Sequence, residues 1–487
     1  MSWFCKLYSH LKLIYNLRIY YNYYQSNEIY NGILLDKVLN NVKECGAVMI
    51  KFCQWITPKL ELIYSEDIDI INDKKPDWLL KMEQYYENCD NHSLEYTKEE
   101  YYRVFNENPE EIYKFEEIIG SGSIGQVHLV TNIKTNEKEV IKILHPNVKD
   151  QIYFFDKFIR FLLYFPCINN KVKTIFPFDI FEFIRQFELQ TNFVNEANHI
   201  LYFYEEYKNN DFIIIPKLKR ISPSILIMSY ESGISFEDTG LNEYQNDKIA
   251  NLYHLFIRNN QMIKNYNHGD LHPGNWKVRI DKENNNHKLV IYDFGFCWKI
   301  PLKSFIEFGN IFIDTFEESN RENKEVSLDN LCKLMYFVIL YDKPDKDIEY
   351  KERIKKFITE KLDKLEPWKL SPIVLLKSTI EFCILENLLL DTILIQCFII
   401  VIQGQKIFEK YDLMASDKNL ISDYKVFRER YLNILTFCKT YNIFEDFSKY
   451  IENKLNEKQI KIDNIFDTID FDNELFEKLA LQNNKFD

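Results

Sequence analysis

Residues 1–103 and the chain beyond about residue 241 carry apolar positions in the pattern of amphipathic helices, broken by polar stretches at 65–75 and 88–93. Between them the texture changes. Residues 115–119, 126–131 and 139–144 are short, rich in β-branched and aromatic side chains, and separated by turn-forming residues, including Thr135-Asn136, which predicts a three-strand meander. Pro177 then opens a helical segment to about Tyr207, with Ile180, Phe183, Ile184 and Phe187 on its apolar face. Two further strands are expected at 212–215 and 225–228, and a loop-and-strand interruption at 266–300. Residues 387–402 form the longest apolar run. Asp391 and Gln396 interrupt it and it is short for a bilayer span, so a buried core helix is expected.

A small sheet with one long helix, followed by a helical lobe, predicts an α+β fold in two lobes. The expected divisions are a helical extension over 1–103, an N-lobe over 104–235, a helical C-lobe over 236–410 and a charged helical tail over 411–487. With 12 Gly and 13 Pro in 487 residues, long flexible linkers are not expected. The net charge of −13 leaves no basic surplus for nucleic acid, which is excluded as a partner. The 10 cysteines include no Cys-x-x-Cys and read as small hydrophobes in a reducing, intracellular compartment. Trp3, Leu7, Leu11 and Ile14 share one helical face near Lys6, Lys12 and Arg18, with no acidic residue before Glu28. Such a helix fits a membrane surface or a targeting segment, and equally an aromatic helix docked on its own protein.

Three segments carry chemistry. Gly120-Ser121-Gly122-Ser123-Ile124-Gly125-Gln126-Val127 fits GxGxxGxV between the first two strands, where glycine lets backbone N–H groups approach phosphate oxygens. Alone it is a weak signal. Lys142, on the next strand, supplies the cation that α- and β-phosphates need, and Glu196 on the following helix is the candidate carboxylate to orient it, with Glu188 as competitor. The strongest signal is His268-Gly269-Asp270-Leu271-His272-Pro273-Gly274-Asn275 followed by Asp293-Phe294-Gly295. Phosphoryl transfer depends on positioning and charge neutralisation. Asp293 and Asn275 are placed to hold Mg²⁺ against ATP phosphates, and Asp270 to orient or deprotonate an acceptor hydroxyl. Met228 and Tyr230, between the lobes, would meet the adenine. Gly269 stands where many protein kinases have an arginine that receives an activation-loop phosphate, and no Ala-Pro-Glu follows, so a protein substrate is doubtful.

Together with Lys51-Phe52-Cys53-Gln54, the SIGQVH run over residues 123–128 and the HGDLHPGN run resemble the UbiB/ADCK (aarF-domain) atypical kinases over about residues 40–410. The resemblance implies a two-lobed protein-kinase-like fold, Mg-ATP, and support of isoprenoid-lipid (ubiquinone-like) metabolism, with mitochondrial or membrane-associated residence. It also implies a KxGQ helix that folds over the site, giving Lys51 and Gln54 a regulatory role. Three features depart from the family: Cys53 replaces its glycine, Gln190 and Asn192 replace its acidic pair, and the nucleotide loop is glycine-rich where the family's is alanine-rich. A catalytically weak pseudokinase scaffold and a small-molecule hydroxyl phosphotransferase stay open as alternatives.

Overall fold

The computed structural model describes residues 3–27, 31–64, 76–86, 91–210, 212–281, 287–300, 328–340, 347–362, 372–396 and 399–400. The extension contains α1 (Trp3–Asn27), α2 (Gly32–Cys45), α3 (Ala47–Tyr64) and α4 (Asp77–Tyr86). Asn31 caps α2 by accepting from Leu34 N, and the helix buries Leu35, Val38, Leu39 and Val42 at i, i+3, i+4 and i+7. This stripe joins Val48, Met49, Ile50 and Cys53 of α3 in one apolar cluster. Cys53 thus fits as a buried small hydrophobe.

After α5 (Leu94–Phe105) and α6 (Pro109–Ile112), the expected meander forms as β1 (Tyr113–Ser121), β2 (Gly125–Asn132) and β3 (Lys138–Leu144). Asn136, with φ 58°, makes the left-handed position of the β2–β3 turn. β6 (Ile225–Ser229) pairs with β3, and β5 (Leu218–Ile221) with β6, giving the order β1-β2-β3-β6-β5. Strand alternation divides the work of the two faces. Ile141, Ile143, Ile225 and Ile227 bury against Tyr101 of α5, while Leu144 and Leu226 belong to the large core shared with the helical lobe. Lys142 points the same way as Leu144, and therefore toward the helical lobe.

Two helix expectations are corrected, and the strand expected at 212–215 is present in a sheet of its own. The single helix expected from Pro177 to Tyr207 is two, α9 (Ile180–Gln190) and α10 (Phe193–Tyr207), preceded by α7 (Val148–Leu163) and α8 (Pro166–Ile175). The break has a local cause: Thr191 Oγ1 donates to Glu188 O at 2.7 Å, and Asn192 caps α10 by accepting from Val194 N at 3.2 Å. The strand expected at 212–215 is β4 (Ile213–Ile214), which pairs parallel with β9 (Lys288–Ile291) beside β8 (Trp276–Arg279), in a sheet apart from the five-stranded one. The apolar run from 387 is not one helix. Its Leu389–Leu390 is a strand, β12, paired with β11 (Ile339–Leu340), and Asp391 Oδ1 then accepts from the N–H groups of Ile393 and Leu394 to start a new helical turn. Residues 401–402 and the tail from 411 lie outside the described residues.

The helical lobe continues with α11 (Glu243–Arg258), α12 (Leu328–Val338), α13 (Asp347–Leu362) and α14 (Pro372–Glu386). β7 (Asn267–His268) pairs with β10 (Cys297–Trp298) and brackets the polar loops of the cleft. Among the described residues, no helix is long and apolar enough to cross a membrane.

Candidate active site

Lys142 Nζ lies 2.8 and 2.9 Å from the two carboxylate oxygens of Glu196 and 3.2 Å from Asp293 Oδ1. Glu196 stands in the first turn of α10 and is 1% exposed, whereas the competing Glu188 is exposed on α9. Burial pulls the Lys142 ammonium down, but Asp293 and Glu196 together outweigh it and hold it above its usual range. Burial pushes the Glu196 carboxyl up to about 7, with Lys142 opposing and Asp293 reinforcing. Asp293 is also pushed up by burial, but Lys142 and Lys51 win and hold it below the usual carboxylate range. Its φ of 48° is unusual for a non-glycine residue, and Gly295 N donates to its Oδ1 at 3.1 Å.

Above this triad, the β1–β2 hairpin carries the glycine loop, closed by Gly122 N donating to Gly125 O at 3.1 Å. The three glycines are not equivalent. A Cβ on Gly125 would stand 2.6 Å from Ile143 O, so only glycine fits there. At Gly120 and Gly122 the nearest heavy atom would be 4.0 Å away, which leaves room for the alanines of the resembling family. Ser121 Oγ is buried without a hydrogen-bond partner. Val127 pairs with Lys142 across the sheet, and Met228 with Val140. At the lobe junction Tyr230 N donates to Lys138 O at 3.2 Å, and Tyr292 OH to Glu231 O at 2.6 Å.

Below the triad, the polar loop is locked by a histidine whose proton position follows from its partners. His268 Nε2–H donates to Tyr292 O at 2.9 Å, so its Nδ1 accepts the Asp270 N–H at 3.2 Å. Asn275 Nδ2 donates to Asp270 O at 2.8 Å, turning its amide oxygen to the other side. Gly269 gains a steric explanation: a Cβ there would lie 2.5 Å from Phe296 and 2.8 Å from Trp298, while Gln396 donates to its carbonyl at 2.9 Å. An arginine is excluded at this position by packing.

Lys51 Nζ reaches to 3.5 Å from Asp270 Oδ2. Burial pushes the Asp270 carboxyl up, but Lys51 and His272 prevail and keep it below its ordinary value. Of the two residues replacing the family's acidic pair, Asn192 is committed to capping α10 and Gln190 is buried. Gln54 follows Lys51 by three residues on α3 and is partly buried.

Two neighbours of the site escaped the sequence reading. His199 Nδ1–H donates to Phe294 O at 2.8 Å, tying the Asp-Phe-Gly turn to the helix that carries Glu196. The i, i+3 spacing from Glu196 to His199 was the available signal. Lys59 is 2% exposed, donates to Trp55 O at 3.0 Å and stands over the Trp55 ring at 4.0 Å. Burial pulls it down to about 7, with Asp270 opposing.

The donors suit a magnesium nucleotide. Among the described residues no three His, Cys, Asp or Glu gather to enclose a metal. Mg²⁺ characteristically takes one or two protein oxygens and completes its shell with phosphates and water, and the Asp293 carboxylate with the Asn275 amide oxygen is such a set.

This is the arrangement of a protein-kinase-like fold. Residues 85–327 match the ABC1 atypical kinase-like domain, and the chain belongs to that family, the UbiB/ADCK atypical kinases. The chain is 30% identical over 299 residues to a probable serine/threonine-protein kinase, abkC, of Dictyostelium discoideum, covering 58% of this chain and 41% of that one. It is 24% identical over 267 residues to the probable protein kinase UbiB of Shewanella piezotolerans (51% and 45%). It is also 24% identical over 290 residues to a mitochondrial ABC1 family protein of Schizosaccharomyces pombe (52% and 40%). The matched stretch thus spans less than half the length of these curated relatives. The solved Rv3197–erythromycin complex of Mycobacterium tuberculosis aligns over 75% of this chain and 97% of that one at 15% identity and a TM-score of 0.38.

Proposed function

We propose that the chain binds Mg-ATP between its lobes and acts as an atypical kinase or ATPase, in support of isoprenoid-lipid (ubiquinone-like) metabolism. One observation carries this reading: Lys142, Glu196 and Asp293, more than 50 residues apart from one another in sequence, meet within hydrogen-bonding distance in the cleft. In this reading Lys142 holds the α- and β-phosphates and Glu196 orients it. Asp293 and Asn275 hold the metal, and Asp270 receives the acceptor proton. The glycine loop from Gly120 to Val127 covers the phosphates, with Met228 and Tyr230 beside the base. The lipid context rests on relatives named UbiB and a mitochondrial relative.

The ion pair between Lys51 and Asp270 favours low turnover. An ammonium on the acceptor-side carboxylate lowers its basicity and occupies the place of an incoming hydroxyl. The α3 helix would therefore restrain protein phosphorylation and leave slow hydrolysis, with Gln54 supporting the same face.

The test is thermal shift with MgATP and MgADP, and phosphate release with and without anionic liposomes. Both are run on the chain, Asp293→Asn and Lys51→Ala. Wild type should be stabilised by nucleotide, Asp293→Asn should lose that shift, and Lys51→Ala should release phosphate faster. Absence of any shift in the wild type overturns the proposal. Binding without turnover in any variant, with or without liposomes, favours the scaffold.

A further inference from the structure

A second polar cluster lies behind the glycine loop, on the face of the sheet away from Lys142. His145, just past β3, places its Nε2 2.9 Å from Gly122 O, while its backbone N donates to Ile124 O at 2.8 Å. Its Nδ1 is 2.8 Å from Nδ1 of His92, in the segment leading into α5. His92 Nε2 is 3.0 Å from Thr97 Oγ1, which is 3.0 Å from His128 Nε2 on β2. Gln126 closes the ladder. Its Oε1 accepts from His92 N at 2.9 Å, so its Nε2 is a donor, reaching His92 O at 3.2 Å and His128 Nε2 at 3.0 Å. Thr97 and Gln126 are fully buried, and His128 and His145 nearly so.

Proton counting shows what this ladder lacks. Gly122 O can only accept, so His145 Nε2 must carry a proton. The Gln126 amide nitrogen can only donate, so its 3.0 Å contact with His128 Nε2 is a hydrogen bond only where that nitrogen keeps its lone pair, and it is counted here as an acceptor. Between these fixed ends lie two imidazoles and one hydroxyl. With every ring neutral, the protons fall one short, and one contact of the ladder has two lone pairs face to face. One added proton on the His92–His145 pair gives every contact a donor: His145 donates to both Gly122 O and His92, His92 to Thr97, and Thr97 to His128, whose single Nε2 lone pair Thr97 and Gln126 share. Burial holds His92 and His128 down to about 4 and lowers His145, so the ladder is short of that proton near neutral pH. The titratable neighbours offer no remedy. They are Tyr96 against His92 and, one turn along α5, Glu100, which is paired with Arg103; Phe115 covers His128 from β1.

We propose that His145, backed by His92, positions the glycine loop through the Gly122 carbonyl, and that this pair takes up a proton when a nucleotide's phosphates enter beneath the loop. The proposal rests on the nucleotide-binding reading above. A trans peptide points its C=O and N–H in opposite directions, so holding Gly122 O toward His145 aims the Ser123 N–H the other way, where a phosphate would meet it. An imidazolium on that carbonyl polarises the peptide and strengthens the N–H as a donor. The phosphates' negative charge, in turn, favours the imidazolium.

The test is calorimetric titration of MgADP into the full chain at about pH 7.5 in buffers of different ionisation enthalpy, which yields protons taken up per nucleotide bound. His145→Gln keeps a donor for Gly122 but cannot titrate, His92→Phe removes the proton-sharing partner, and His145→Phe removes the contact. Wild type should take up more protons than His145→Gln or His92→Phe, with the excess growing at lower pH. His145→Gln should bind within a few-fold of wild type, and His145→Phe about tenfold more weakly. Equal uptake in wild type and His145→Gln sinks the proton coupling. Undiminished affinity in a folded His145→Phe sinks the positioning role. No binding by the wild type removes the nucleotide reading itself.

Discussion

Replacing Lys142 with methionine leaves Glu196, 1% exposed, without the ammonium that lies 2.8 Å away. A stranded buried charge costs about 3–5 kcal/mol, unless the carboxyl escapes by staying protonated. That escape fixes the pH dependence. In the wild type Glu196 titrates at about 7. In the variant the opposing effect of Lys142 is gone, so its folded pKa is higher still. Below about 7 both folded proteins hold the proton, and the variant loses little more than the contact between Lys142 and half-exposed Asp293, worth about 1 kcal/mol. Above about 7 the wild type sheds the proton and the variant keeps it. The variant's deficit should then grow by about 1.4 kcal/mol per pH unit until it reaches the stranded-charge ceiling. Urea unfolding at about pH 6, 7.5 and 8.5 measures this, and Lys142→Met made in a Glu196→Gln background should show, against Glu196→Gln alone, a deficit independent of pH. A deficit that is the same at all three pH values, or a double variant as pH-sensitive as the single, would refute the buried pair.

Three further outcomes are expected. Gly125→Ala must move Ile143 O and should cost about 1–3 kcal/mol by thermal melting, while Gly120→Ala and Gly122→Ala should melt within about 0.5 kcal/mol of wild type. Gly269→Ala should be destabilising by a similar 1–3 kcal/mol or so and should weaken nucleotide binding, because Phe296 and Trp298 must yield beside Asp270; an unchanged melting curve would remove the steric account of this glycine. Because Glu196 is neutral below about 7 and charged above it, phosphate release should rise through that pH, and Glu196→Gln should be slower and lack that rise.

The chemistry was more legible in the sequence than the architecture. Lys142, Glu196, Asp270, Asn275 and Asp293 were singled out because a phosphate and Mg²⁺ site would demand such side chains at such spacings, and glycine loops and polar runs stand out against an apolar background. Helix continuity was harder to read. The apolar stripe of Ile180, Phe183, Ile184 and Phe187 continues in period beyond Gln190, and only the small capping bonds of Thr191 and Asn192 divide it. Asp391 was visible as a charge in a greasy run, but its use as a helix cap depends on the strand pairing of Leu389–Leu390 with distant Ile339–Leu340. Gly269 invited comparison with a regulatory arginine, whereas its cause is two aromatic rings, Trp298 on the paired strand β10 and Phe296 just before it. Lys51 was placed over the site by resemblance, and its pairing with Asp270 became visible only in three dimensions.

The central claim is that Lys142 stands against the phosphates of a bound nucleotide. An ATP acyl-phosphate probe acylates whichever lysine amine lies beside its phosphate chain, and peptide mass spectrometry then reads the modified residue. The account predicts labelling of Lys142, suppressed by excess MgATP and absent in Asp293→Asn at the same probe concentration. Labelling confined to surface lysines, indifferent to MgATP, would contradict it.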